Sequence, residues 1–172
     1  MKKIKLICAF VVVTTFTLFS SCSSDDNGGG GGNAAAGTIK GKVNGTMVTS
    51  SSQLTQANKV SVGSTTSLTM QGTNFDGKGF SFVINNFTGT GTYEIGGSSS
   101  VFVVANYIEG SVSATNIWSA PFDTDALRGQ ISFSESTDDK VKGTFNFTAK
   151  NPNDNTEKEI TEGSFNVSVT NF

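Results

Sequence analysis

Apolar and polar residues alternate with a period of two along most of the chain after residue 38, and short polar clusters interrupt the pattern. Ile39 and Val43 alternate with Lys40 and Lys42. Asn44-Gly45 then marks a tight turn of type I′ preference, with 47–49 as the returning strand. Weaker segments cover 53–57 and 60–62, and Leu68 and Met70 alternate within 67–71. Phe80, Phe82 and Ile84 form an apolar face, with Ser81 and Asn85 opposite. Residues 92–95 make a short, glycine-flanked run, whereas 101–108 is apolar on both faces and predicts a central strand or one covered on both sides. The run 116–119 carries Ile117 and Trp118, and Pro121 is expected to end it. Only 123–128 has helical character, a turn or two at most. Alternation resumes over 130–135, 141–150 and 160–169.

Phe145-Asn146-Phe147-Thr148 and Phe165-Asn166-Val167-Ser168 resemble each other and have no third copy, so they read as partners of one hairpin around 151–156. Leucine is scarce: past residue 22 it occurs only at Leu54, Leu68 and Leu127, while Phe, Val, Ile and Thr dominate. Those residues suit a pleated, half-buried surface. The expected fold is all-β: about ten strands with short polar connections, an antiparallel meander closing into a single barrel or folding as a sandwich of two packed sheets.

The first part of the chain follows a different pattern. Lys2, Lys3 and Lys5 precede an apolar run over 6–19, which ends in Leu18-Phe19-Ser20-Ser21-Cys22. As a helix that run reaches about 21 Å, short of the ~30 Å hydrocarbon core, so a cleaved signal peptide over 1–21 is expected rather than a membrane span. Leu18 to Cys22 resembles a bacterial lipobox, in the looser form of Bacteroidetes lipoproteins, with Phe19 and Ser21 where Leu and Gly or Ala are usual. The resemblance implies that Cys22 is the lipidation site, carrying a diacylglycerol, with palmitate as an expected acyl chain. Two or more chains anchor stably where one does so marginally. Cys8 leaves with the leader, so Cys22 is the lone cysteine of the mature chain and no internal disulfide forms.

Residues 22–37 then read as the lipidated cysteine and a flexible linker: Ser23-Ser24-Asp25-Asp26-Asn27, five glycines, and a short Ala-rich stretch. Such a linker spans roughly 20–23 Å, enough to swing the domain clear of a lipid surface. Cys22-Ser23-Ser24-Asp25-Asp26 resembles the acidic signal that carries Bacteroidetes lipoproteins to the outer face of the outer membrane. The expected location is the outer membrane, lipid-anchored and surface-exposed, with a periplasm-facing anchor as the alternative. The remaining 38–172 is long enough for one domain with its own core.

Charge and composition narrow the chemistry. Losing Lys2, Lys3 and Lys5 with the leader leaves nine basic residues against fourteen acidic ones, a net charge of −5. With Arg128 as the single arginine and no basic cluster, nucleic acid is not an expected partner. The chain has no histidine, which removes Ser-His-Asp and Cys-His catalysis and the commonest transition-metal ligand. No cofactor and no metal site is expected, and no catalytic residue is assigned. Glu94 and Glu109 are acids placed beside apolar strand residues. The oxygens of 151–157, and of Asp123 and Asp125, lack EF-hand spacing and read as turns. The candidate ligand-binding residues are Trp118, Tyr107 and Tyr93, large aromatics able to stack on a sugar or line an apolar pocket; Phe122 offers a fourth ring.

Three segments together resemble a family of small Bacteroidetes lipoproteins catalogued as a domain of unknown function. They are Thr38-Ile39-Lys40-Gly41-Lys42-Val43-Asn44-Gly45, Val141-Lys142-Gly143-Thr144-Phe145-Asn146-Phe147-Thr148-Ala149 and Ile160-Thr161-Glu162-Gly163-Ser164-Phe165-Asn166-Val167. Where a family member often has an aromatic shortly after Asn-Gly, this chain has Met47 and Val48. The resemblance implies an all-β lipoprotein domain and transfers no activity. The expected function is therefore non-enzymatic binding of a ligand or partner: a glycan, an envelope protein, or a small apolar molecule in a calycin-like barrel. The alternative is a structural or accessory subunit of an envelope assembly, such as one for glycan uptake.

Overall fold

The computed structural model describes residues 33–97, 101–110, 115–122 and 126–172. The expected signal peptide, Cys22 and most of the expected linker lie outside these residues, as do Asp123 and Asp125. The described residues form β1 (Thr38–Val43), β2 (Thr46–Thr49), β3 (Thr55–Val62), β4 (Thr65–Thr73), β5 (Lys78–Ile84) and β6 (Gly91–Gly96). They continue as β7 (Val103–Gly110), β8 (Thr115–Ala120), β9 (Leu127–Ser136), β10 (Lys140–Lys150) and β11 (Glu157–Asn171). A single 3-10 turn at Ser52–Leu54 is the helical content of these residues, and no helix among them is long and apolar enough to cross a membrane. The all-β expectation holds.

Alternation explains most of these strands. In β10 the buried residues are Val141, Gly143, Phe145, Phe147 and Ala149, and the intervening positions face outward. Asn44 and Gly45 both take positive φ, at 46° and 83°, as a type I′ hairpin between β1 and β2 requires. The strand β8 stops at Ala120, before Pro121. Two local expectations are corrected. The two weak segments at 53–57 and 60–62 join into one strand, β3, from Thr55 onward, while Gln53 and Leu54 belong to the 3-10 turn. Leu127 and Arg128, expected to belong to a helical turn, open β9, because pairing with β6 and β10 overrides a weak local preference.

The hairpin of β10 and β11 is the spine of the fold. The two strands pair with each other, and each is long enough to take two more neighbours. Along β11, the stretch from Ile160 to Asn166 pairs with β1, and Val169 to Asn171 pair with β3. Along β10, Val141 to Phe147 pair with β9, and Lys150 pairs with Ser119 of β8. All eleven strands belong to one sheet, in the order β2-β1-β11-β3-β4-β5-β7-β8-β10-β9-β6, and the β10–β11 pairing joins the sheet back on itself. The β11–β3 pairing is parallel, and β1 with β11, β5 with β7, β6 with β9 and β8 with β10 are non-consecutive neighbours, so the expectation of an antiparallel meander is corrected at these joints. Residues 50–54, which include the 3-10 turn, separate β2 from β3, and β3 runs beside the tip of β11.

Strands β5 and β10 meet across the interior through aromatic rings. Phe80 and Phe82 of β5 face Phe145 and Phe147 of β10, with centroids 5.3, 4.8 and 5.9 Å apart for the pairs 80–145, 82–145 and 82–147. All four are buried. Two glycines make room for them. A Cβ on Gly163 of β11 would fall on the edge of the Phe145 ring, and one on Gly143 of β10 would fall on the Ser132 carbonyl oxygen and 2.6 Å from Phe165 Cζ. A β-bulge at 161–163 sets this register, so Phe145 lies opposite Gly163, and Phe165 opposite Gly143. Glu162 sits at the bulge with φ 50° and ion-pairs with Lys42 at 2.7 Å. The three sequence segments that carry the family resemblance are thus adjacent strands, and their glycines seat their phenylalanines.

Candidate functional site

Tyr107 and Trp118 are directly opposed across the β7–β8 pair, with their rings 5.7 Å apart. Alternation places both on the inner face, beside Phe80 at the start of β5. Their exposure is 1% and 6%, so neither presents a ring face to solvent. The polar tips are engaged. Tyr107 donates its hydroxyl hydrogen to Glu109 Oε1 at 2.7 Å, two residues along the same strand. Trp118 Nε1 donates to Thr156 Oγ1 at 2.9 Å, and Thr156 Oγ1 donates in turn to Asp154 Oδ1 at 2.7 Å. Lys158 closes the group: its ammonium lies 4.8 Å over the Trp118 ring and 3.7 Å from Glu109 Oε1.

The electrostatics follow from this packing. Burial pushes the Tyr107 hydroxyl well above its ordinary range, and the hydrogen bond to Glu109 and that carboxylate's charge push it further. Tyr107 therefore stays protonated and serves as a donor, not a base. Asp154 is held below the usual carboxylate range by the backbone N–H of Thr156 and then by the Thr156 hydroxyl. The same loop ties itself down elsewhere: Asn151 Oδ1 accepts from the Asn153 amide at 2.8 Å, and Asn155 N donates to the Asn151 carbonyl at 2.9 Å. The loop oxygens thus satisfy the loop's own amides. Among the described residues no group of three or more His, Cys, Asp or Glu side chains converges. Glu94, the other acid noted in the sequence, is exposed on β6.

Tyr93 lies apart from this pair, in a second aromatic group beyond the far end of β5. It stacks on Phe87 at 5.5 Å and meets Phe133 edge-on at 5.6 Å, and Phe133 contacts Phe165 at 5.0 Å. Its hydroxyl donates to the Gly89 carbonyl at 2.9 Å and accepts from the Thr88 amide at 3.0 Å. Tyr93 therefore fixes the connection from β5 to β6. Phe122, half-buried, lies under the Arg128 guanidinium at 3.8 Å from the ring centroid. Of the three candidate binding residues, the structure brings Tyr107 and Trp118 together and leaves Tyr93 elsewhere. Each is packed at the base of a wall rather than offered as a platform.

Above the Tyr93 group lies a feature that sequence reasoning missed, an open cleft of about 330 Å³ with Phe87 in its floor. Its walls come from β3 and β4, the Thr88-Gly89 turn, the β9–β10 turn and the end of β11. Lys59, Asp138, Asn171 and Phe172 contribute its charge, amide and exposed ring. These residues are scattered over more than 110 positions of sequence and share no motif. The one usable signal is an aromatic at Phe172, past the last alternating strand.

The described chain also continues upstream of β1. Ala34 is buried, and Gly37 N donates to the Asn166 carbonyl at 2.7 Å, so the end of the expected linker already lies against β11. A family model described as a domain of unknown function (DUF6252) matches residues 36–168, and the chain belongs to that family. No curated protein and no solved structure matches it.

Proposed function

We propose that this DUF6252 domain is a lipid-anchored protein of the outer membrane or cell surface that binds its ligand or partner on its exterior, without catalysing a reaction. The filled interior supports the exterior mode. Phe80, Phe82, Phe145 and Phe147 occupy at ring-contact distance the space that a calycin-like barrel would keep for a small apolar molecule. The anchor reading rests on the basic start, the short apolar run and the placement of Cys22 after it. In this reading, lipidation at Cys22 holds the domain at the membrane.

A second reading has the same support: an accessory subunit of an envelope assembly, one serving glycan uptake for example, with no small-molecule site. A domain packed solid with aromatics offers a rigid exterior for assembly. Chemical crosslinking in intact envelopes separates the two, since an accessory subunit gives one stoichiometric protein adduct.

Fractionation tests the anchor. Wild-type protein is expected in membrane fractions with lipid on Cys22 by mass spectrometry, and Cys22→Ala is expected in the soluble fraction. Wild-type protein without lipid, or a Cys22→Ala variant that still pellets with membranes, overturns the reading.

A further inference from the structure

We propose that the cleft above Tyr93 binds a neutral saccharide, the end or a branch of a glycan. The inference rests on the non-enzymatic, exterior-binding reading above and gives that reading a site and a ligand class. The cleft forms where β3 runs parallel to the tip of β11, with Asn171 opposite Lys59. Two connections rise around this corner, the Thr88-Gly89 turn and the β9–β10 turn. Its volume of about 330 Å³ sits at the lower end of the range for small-molecule sites, so a terminal unit fits better than a long chain segment.

The walls are held in place before any ligand arrives. The Tyr93 hydroxyl binds the backbone of both Thr88 and Gly89. Asn171 Nδ2 donates to the Asp138 carbonyl at 2.7 Å, Val169 N donates to the Asp139 carbonyl at 2.8 Å, and Phe172 N donates to the Lys59 carbonyl at 2.9 Å. Ordering paid for during folding is not paid again on binding.

The chemistry points to a polyol. Phe172 has its backbone fixed beside β3 while its ring is 77% exposed, which offers an apolar face at the rim. Asp138 and Asn171 lie side by side and carry planar polar groups suited to adjacent hydroxyls. Ser61 and Thr66, joined Oγ to Oγ1 at 2.9 Å, add hydroxyls on the opposite wall. One cation and one carboxylate balance, and Lys59 directs its ammonium to the Thr137 carbonyl and toward the Phe87 ring. A phosphate or a polyanion calls for clustered cations, and a fatty chain calls for apolar walls; this cleft has neither.

The test uses the full lipidated protein in a zwitterionic detergent with no sugar headgroup. Calorimetric titration takes neutral hexaoses of glucose (α and β linked), mannose and xylose, with oligoglucuronate and inorganic phosphate as charged probes. At least one neutral hexaose is expected to bind saturably below about 10 mM. Phe172→Ala and Asp138→Ala are each expected to weaken that binding at least tenfold with the melting temperature unchanged. Thr144→Ala, on the outer face of β10, is expected to leave it intact. Binding by none of the neutral probes, binding of the charged probes only, or affinity unaltered in both cleft variants overturns the proposal. None of those outcomes touches the Cys22 fractionation, so the site and the anchor fail separately.

Discussion

The two aromatic groups of this domain share a composition and differ in how they end. One runs from Phe147 and Phe82 through Phe145 and Phe80 to Tyr107 and Trp118, and there it is sealed. Lys158 lies over the last ring, Glu109 accepts the hydrogen bond of the tyrosine hydroxyl, and the Thr156 hydroxyl accepts that of the indole N–H. The other group, Phe165, Phe133, Tyr93 and Phe87, ends at an open cleft with a balanced pair of charges at its rim. Rings alone do not make a binding site. What decides is whether the polar groups around them turn inward to close the end or line a space beyond it.

The largest expected effect is where β5 and β10 meet in the interior. Phe145→Ala removes a ring that touches Phe80, Phe82 and Phe147, and is expected to cost about 3–5 kcal/mol in denaturant unfolding. Gly163→Ala attacks the same contact from the other side by driving a methyl group into the Phe145 ring. Overpacking there is expected to cost about 3 kcal/mol, and a neutral result by the same measurement means the ring can move.

The comparison sharpens with Tyr93→Phe. That change deletes one hydroxyl serving Thr88 and Gly89, and is expected to cost about 1–2 kcal/mol. Amide exchange is expected to speed up at 88–89 and not in the loop 151–156. Trp118→Phe, at the sealed end, is expected to cost about 1 kcal/mol and to loosen 151–156 instead.

The smallest effects are in pH dependence. Tyr107 has a folded-state pKa raised above its ordinary value near 10, so its contribution is complete below pH ~10 and is lost as pH rises above that. Stability is expected to fall on the alkaline side, and Tyr107→Phe is expected to flatten that limb. Asp154 works in the opposite sense. Its lowered pKa contributes stability above the ordinary carboxylate range, lost as pH falls through the folded value. Asp154→Asn is expected to remove a small part of the acid limb, read as the slope of unfolding free energy below pH ~4.

Much of this architecture was legible in the residues. Alternation located nearly every strand because each has one buried face. Asn44-Gly45 announced its turn, and the likeness of 145–148 to 165–168 announced the β10–β11 hairpin. Period alone names a face and not a partner, so the parallel joint of β11 with β3 was hidden. Register was hidden too. The bulge at Glu162 sets Phe145 opposite Gly163 and Phe165 opposite Gly143, and alternation does not announce a bulge. The candidate aromatics Tyr107, Trp118 and Tyr93 stood out by size, and size is also what a core selects. Beyond Phe172 the cleft left no trace, because distant segments build it and its polar residues resemble those of ordinary turns.

A crystal structure under xenon pressure tests most directly the claim that the interior is filled, since apolar cavities take up xenon and packed rings do not. The account predicts no xenon among Phe80, Phe82, Phe145 and Phe147. An ordered xenon atom between those rings would contradict it and return ligand binding to the interior.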